Sequence, residues 1–171
     1  MREMSSSEIR ELAADIENEL QHLTRLEAEI RQVQEEIQHD PARASLFYEN
    51  LALKLHNFYT GCERILRLVA AELNGALPSS YDWHRRLLER MSAEREGRPA
   101  VLAPQTAQRL EEYLAFRHVV RNVYGFELDP QRIKQLVTAY PSVWHLFEVE
   151  VRSFVKWLRA LAERLEASAQ A

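Results

Sequence analysis

From Ile9 onward the apolar residues fall at Leu12, Ile16, Leu20, Leu23, Leu26, Ile30, Val33 and Ile37, three or four positions apart without a break. Their mean spacing is about 3.5 residues, the period of a coiled-coil seam. The remaining faces are Glu, Gln and Arg, so the segment reads as a long helix that buries a narrow stripe along a neighbouring helix or a second copy of itself. Ser5 and Glu8 supply a capping box at its start. His39-Asp40-Pro41 ends it, because proline disfavours helix in the residue before it.

The rest of the chain repeats the helical period. Phe47, Leu51, Leu55, Phe58, Cys62, Ile65 and Val69 define a second helix from about Ala42 to Leu73, closed by Asn74-Gly75, a stop that takes positive φ. Gly61 inside it points to close helix approach, and Cys62 to a small buried apolar residue. His56 and Asn57 are expected to be structural. Asp82 can cap a short third helix carrying Trp83, Leu87, Leu88 and Met91, whose arginines, Arg85, Arg86 and Arg90, form a solvated face. The longest irregular connection runs from Glu94 to Ala103. Pro104 opens a fourth helix, stopped by Gly125, and Asp129-Pro130 opens a fifth. Pro141 is expected to kink or divide that helix, with Trp144, Phe147, Val151, Phe154, Leu158 and Leu161 carrying its stripe onward.

Four glycines and six prolines in 171 residues leave few turns between these segments. No strand pattern competes. The fold class is therefore all-α, an antiparallel bundle of five to six helices: residues 1–40 form the long N-terminal amphipathic helix, and residues 41–171 a helical domain on which it packs, one domain overall. A net charge of -4 excludes a strongly basic nucleic-acid binder but not a local basic cleft. One cysteine excludes a disulfide framework. No apolar run reaches the ~18 residues of a membrane span, and the N-terminus carries no signal-peptide core, so no membrane association and a cytoplasmic location are expected.

Glycine-rich phosphate loops and metal-binding histidine pairs are missing, and no metal site or cofactor is expected. The one chemically distinctive stretch lies at the end of the fourth helix. At about 100° per residue, Arg117, Arg121 and Tyr124 share one sector, with His118 and Asn122 on its flank. Two guanidinium groups one turn apart suit a phosphate, and His118 is the nearby group able to exchange protons near neutral pH. The same residues also fit ordinary surface ion pairs.

Arg117-His118-x-x-x-Asn122-x-Tyr124 resembles the signature of HEPN-fold ribonucleases, and specifically of HepT-like toxins: Arg, a polar residue, three variable residues, His, one variable residue, Tyr. Leu-His-Asn-Phe-Tyr-Thr-Gly-x-Glu-Arg in the second helix and Trp83-His84-x-x-Leu-Leu in the third also resemble this family, so the likeness extends from Ala42 to Leu165. It implies a homodimer whose motif residues face a shared cleft and cleave RNA without metal. Arg117, His118 and Asn122 would then be the catalytic positions, with Arg117 and Arg121 on the phosphate. It further implies a nucleotidyltransferase antitoxin of the MntA type that adenylylates Tyr124. The departure is Asn122, an amide where the motif has histidine, which cannot serve as acid or base. Either His118 carries the proton transfer, or the chain is a non-catalytic module that binds RNA, nucleotide or a partner protein. A helical interaction protein with a coiled-coil arm is the third reading.

Overall fold

A computed structural model describes residues 4–77, 81–95, 97–122 and 128–169. Five α-helices carry the fold: α1 (Ser6–His39), α2 (Tyr48–Asn74), α3 (Trp83–Met91), α4 (Pro104–Asn122) and α5 (Pro130–Ala169). The described residues contain no strand, only an isolated bridge between Arg95 and Arg98. This is the expected all-α bundle.

The helix boundaries follow local chemistry. The Ser5 hydroxyl accepts from the Glu8 backbone N–H, and the Glu8 carboxylate accepts from the Ser5 N–H at 2.8 Å, a complete capping box. Gly75 closes α2 at φ 72°, in the left-handed region. Asp129 Oδ1 accepts from the Gln131 N–H at 2.9 Å, one residue beyond Pro130. The start of α2 differs from expectation: Pro41–Phe47 is a 3-10 helix with no buried residue, and the α-helix begins only at Tyr48. Without an inward apolar face, nothing in that segment favours the wider turn. Pro141 does not divide the fifth helix, which runs unbroken from Pro130 to Ala169. Tyr140, Val143 and Trp144 beside the proline and Val137 one turn earlier are all buried, so packing holds the turn despite one lost backbone bond. The Gly125 stop lies outside the described residues.

Ion pairs record the helix directions. Arg10 meets Glu166 at 2.7 Å and Glu17 meets Arg159 at 2.6 Å, so α1 and α5 run antiparallel. Glu29–Lys54 and Glu19–Arg64 do the same for α1 and α2. Tyr113 Oη donates to the Leu136 carbonyl at 2.9 Å, and Thr106 to Glu150 at 2.7 Å, setting α4 against α5. Glu150 also accepts from the Ala103 N–H, placing a carboxylate at the N-terminus of α4 where the helix dipole favours it. The surface pairs contribute little stability individually; burial contributes most. Ile9, Ile16, Leu20 and Leu23 of the α1 stripe are buried within the chain's own core, against α2 and α5. Gly61 permits that approach, since a Cβ there would stand 2.6 Å from Leu23 Cδ2. Phe58 sits edge-on to Tyr113 and Tyr140, with ring centroids 5.2 and 4.9 Å apart.

Within the irregular connection, Arg98 is buried, at 4% exposure. Its guanidinium donates to the carbonyls of Arg90 (2.9 Å) and Pro99 (2.8 Å) and to Asn74 Oδ1 (3.3 Å), tying the ends of α2 and α3 to the loop. Burial lowers its pKa, although nothing in the ordinary pH range discharges it. Arg98→Ala is expected to destabilise the fold by about 2–4 kcal/mol, because several carbonyls lose a charged donor inside the protein. Urea unfolding of the two proteins measures it.

Candidate functional site

Three helices converge on one buried carboxylate. On α2, His56, Tyr59 and Glu63 follow at intervals of three and four and so share a face. Glu63 is only 4% exposed, a charge on an otherwise apolar surface, and such a group requires partners. It has two. Its Oε2 accepts from Arg117 Nη1 of α4 at 2.9 Å and contacts His84 Nδ1 of α3 in a very short hydrogen bond. Arg117 Nη1 lies 3.5 Å from the same His84 nitrogen. An ionised carboxylate only accepts, so its contact assigns a proton to Nδ1, and the donor-only Arg117 nitrogen is then a neighbour of that N–H and not its hydrogen-bond partner.

Arg117 is thus not the open cation that its helical position alone describes. Its side chain is 12% exposed, its guanidinium carbon stands 5.7 Å from the centre of the Tyr59 ring, and its buried Nε has no hydrogen-bond partner among the described residues. Burial and Glu63 together push the Tyr59 hydroxyl well above its ordinary pKa, so it stays a neutral phenol. His56 presents a second buried nitrogen, Nδ1, that has no hydrogen-bond partner among the described residues. Burial first, then Arg117 and Arg121, lower the pKa of His56 and keep the imidazole neutral near pH 7. His56, read from the sequence as structural, therefore belongs electrostatically to this cluster.

The rim is formed by the exposed side of α4. His118 is exposed and its ring meets His84 edge-on, with centroids 5.7 Å apart. Partial burial, followed by His84, Arg117 and Arg121, lowers its pKa, while Glu63 opposes the shift. Arg121 is exposed. Asn122 is also exposed and turned back on its own helix, its Nδ2 donating to the His118 carbonyl at 2.6 Å. Trp83 stacks on His84, and the Arg67 guanidinium carbon stands 5.6 Å from the centre of the Trp83 ring, contacts that restrain the imidazole. Tyr124 lies outside the described residues. No three His, Cys, Asp or Glu side chains are grouped to hold a metal ion among the described residues.

The cluster of Arg117, His118 and Arg121 with a polar α2 face and a Trp-His pair on α3 coincides with a family match. The sequence model described as HepT-like protein matches residues 50–158, which include α3 and α4 entirely and most of α2 and α5. The chain is a HepT-like protein. It belongs to the HEPN superfamily, and the helical bundle is consistent with that assignment. No curated protein and no solved structure matches the chain. The HepT-like match begins after α1 and does not include that helix.

Two members of the cluster, Glu63 and His84, lie 54 and 33 positions from Arg117 and outside the stretch that groups Arg117, His118 and Arg121 in the sequence. Glu63 did carry a signal. It falls one turn after Tyr59 and three residues before Leu66, both buried, so it interrupts the apolar surface of α2. Cys62, by contrast, is the buried apolar residue expected, its thiol pKa raised by burial. No helix is long and apolar enough to cross a membrane among the described residues.

Proposed function

We propose that this HepT-like chain is the toxin of a toxin–antitoxin pair, a metal-independent endoribonuclease that acts in the cytoplasm. In this reading two chains form a homodimer, and the α4 motifs of both face one cleft that receives RNA. The observation that carries it is the half-buried Arg117 guanidinium, with Nη1 committed to Glu63 and a further donor, Nε, left without an acceptor among the described residues. Such a fork, with Arg121 one turn on and exposed, suits the charge that develops on a phosphodiester under attack. Doubling it across a two-fold axis concentrates four guanidinium groups in a chain of net charge -4.

Cleavage without metal uses the 2′-hydroxyl as nucleophile and requires a base. His118 supplies it: the ring is reachable from solvent, and partial burial, then His84, Arg117 and Arg121, lower its pKa and favour the neutral, proton-accepting form near pH 7. Asn122 contributes a hydrogen-bonding amide and no proton transfer. A nucleotidyltransferase antitoxin of the MntA type would silence the pair by adding AMP to Tyr124, bringing bulk and negative charge to the cleft. The division at residue 40 belongs to the same proposal, with residues 41–171 as the HepT-like unit and α1 packed along it.

A second reading is favoured by the Asn122 geometry, since its amide is satisfied by its own helix: a HEPN-type module that binds RNA, nucleotide or a partner without cutting. The two separate in an RNA cleavage assay of wild type, His118→Ala and Asn122→His. The ribonuclease reading expects wild-type cleavage, a loss of about 10²–10⁴-fold in His118→Ala, and no requirement for histidine at position 122. An inert wild type with activity restored by Asn122→His supports the binding module instead.

A further inference from the structure

The motif histidine missing at position 122 leaves one proton-transfer group unassigned, because transphosphorylation needs an acid for the leaving oxygen as well as a base. We propose that His84 of α3, held by Glu63 through Nδ1 and facing His118 edge-on, is that acid. This rests on the ribonuclease reading above and adds to it a residue from outside the motif helix.

Three observations place it. His84 Nδ1–H is committed to the Glu63 carboxylate, which favours the doubly protonated ring and leaves its Nε2–H as the donor for a substrate. The ring is 14% exposed and stacked under Trp83, so its direction is set before RNA binds. Its centroid lies 5.7 Å from that of His118 and its Nδ1 3.5 Å from Arg117 Nη1, so two imidazoles and a guanidinium share one small volume. Two groups within about 3 Å of oxygens on opposite sides of one phosphorus need a separation of this order. The charged groups facing the pair are Glu63 from α2 and Arg117 and Arg121 from α4.

The step balances. The 2′-oxygen forms a bond to phosphorus and gives its proton to His118; the bond from phosphorus to the 5′-oxygen breaks, and that oxygen takes the Nε2 proton of the His84 imidazolium, which becomes the neutral ring with its remaining proton on Nδ1. The products are a 2′,3′-cyclic phosphate and a 5′-hydroxyl, and exchange with water restores both rings. Arg117 holds the phosphoryl charge throughout.

The test compares wild type with His84→Asn, whose amide retains a hydrogen bond to Glu63 but carries no transferable proton. Each is assayed on RNA and on the same RNA with sulfur replacing the 5′-bridging oxygen at the mapped cleavage position. Thiolate leaves without an acid, so a variant lacking only the acid recovers on that substrate. The expected result is a loss of at least about 10²-fold on ordinary RNA and less than tenfold on the sulfur-bridged RNA, with His118→Ala impaired on both. Equal losses on the two substrates, or His84→Asn within threefold of wild type, overturn the assignment while leaving the ribonuclease reading intact. Absence of cleavage by wild type on either substrate removes both. His84→Gln, assayed beside it with a thermal melt of each protein, gives the same comparison if His84→Asn does not fold.

Discussion

Glu63→Ala is expected to lower the unfolding free energy by about 3–5 kcal/mol, the cost of leaving a buried charge without its partner. For a chain of this length that is a fall of about 10 °C in melting temperature. The cause is specific: the mutation strands Arg117, whose side chain is 12% exposed and already carries one nitrogen without a partner among the described residues, and it removes the anchor of His84. Because the loss comes from the unpaired partner, and not from attraction alone, the double variant Glu63→Leu with Arg117→Leu should recover much of it. Calorimetry on the two single variants and the double one reads the coupling. Equal and additive losses would mean that the pair is not a unit.

Arg117 is expected to dominate activity as Glu63 dominates stability. Arg117→Ala should reduce RNA cleavage by about 10²–10³-fold in kcat, the range for removing one donor aimed at developing negative charge. Arg117→Lys retains the charge and can still pair with Glu63, yet it lacks the planar fork and a donor at the Nε position. It should fold like wild type and still cleave at least tenfold more slowly. Single-turnover rates measured below the melting temperature of each variant separate this effect from instability. A lysine variant with full activity would show that charge suffices and that the fork geometry is irrelevant.

Much of the bundle was legible because its signals are local. The Ser5–Glu8 box, Gly75 and the Asp129-Pro130 start each act within a few residues, and each forms as its chemistry dictates. Pro141 shows where local reading stops. Its steric penalty is real, but Val137, Tyr140 and Trp144 are buried around it, and packing of a long amphipathic helix outweighs one lost hydrogen bond. The Pro41–Phe47 segment errs in the opposite direction, having helical spacing without a buried face to enforce it.

The site divides in the same way. Arg117, His118, Arg121 and Asn122 are contiguous on one helix, so about 100° per residue is enough to group them. What that geometry does not contain is the inward turn of Arg117, because its partner comes from another helix. Glu63 was discoverable as a carboxylate on an apolar surface, a placement that demands a cation somewhere in the fold. His84 offered less: it stands in a stretch that resembles the family, but only the convergence of α2, α3 and α4 gives it a role. Asn122 was legible in kind but not in posture: the sequence identifies an amide, and the fold turns it back on the His118 carbonyl.

The proposed activity is cleavage of RNA by this chain's own side chains. Its most direct test is incubation of the purified wild-type protein with end-labelled RNA in excess EDTA, followed by analysis of the fragment ends. Cleavage that chelation does not diminish is expected, producing 2′,3′-cyclic phosphate and 5′-hydroxyl termini. Intact RNA, or cleavage only after a divalent cation is restored, would contradict it.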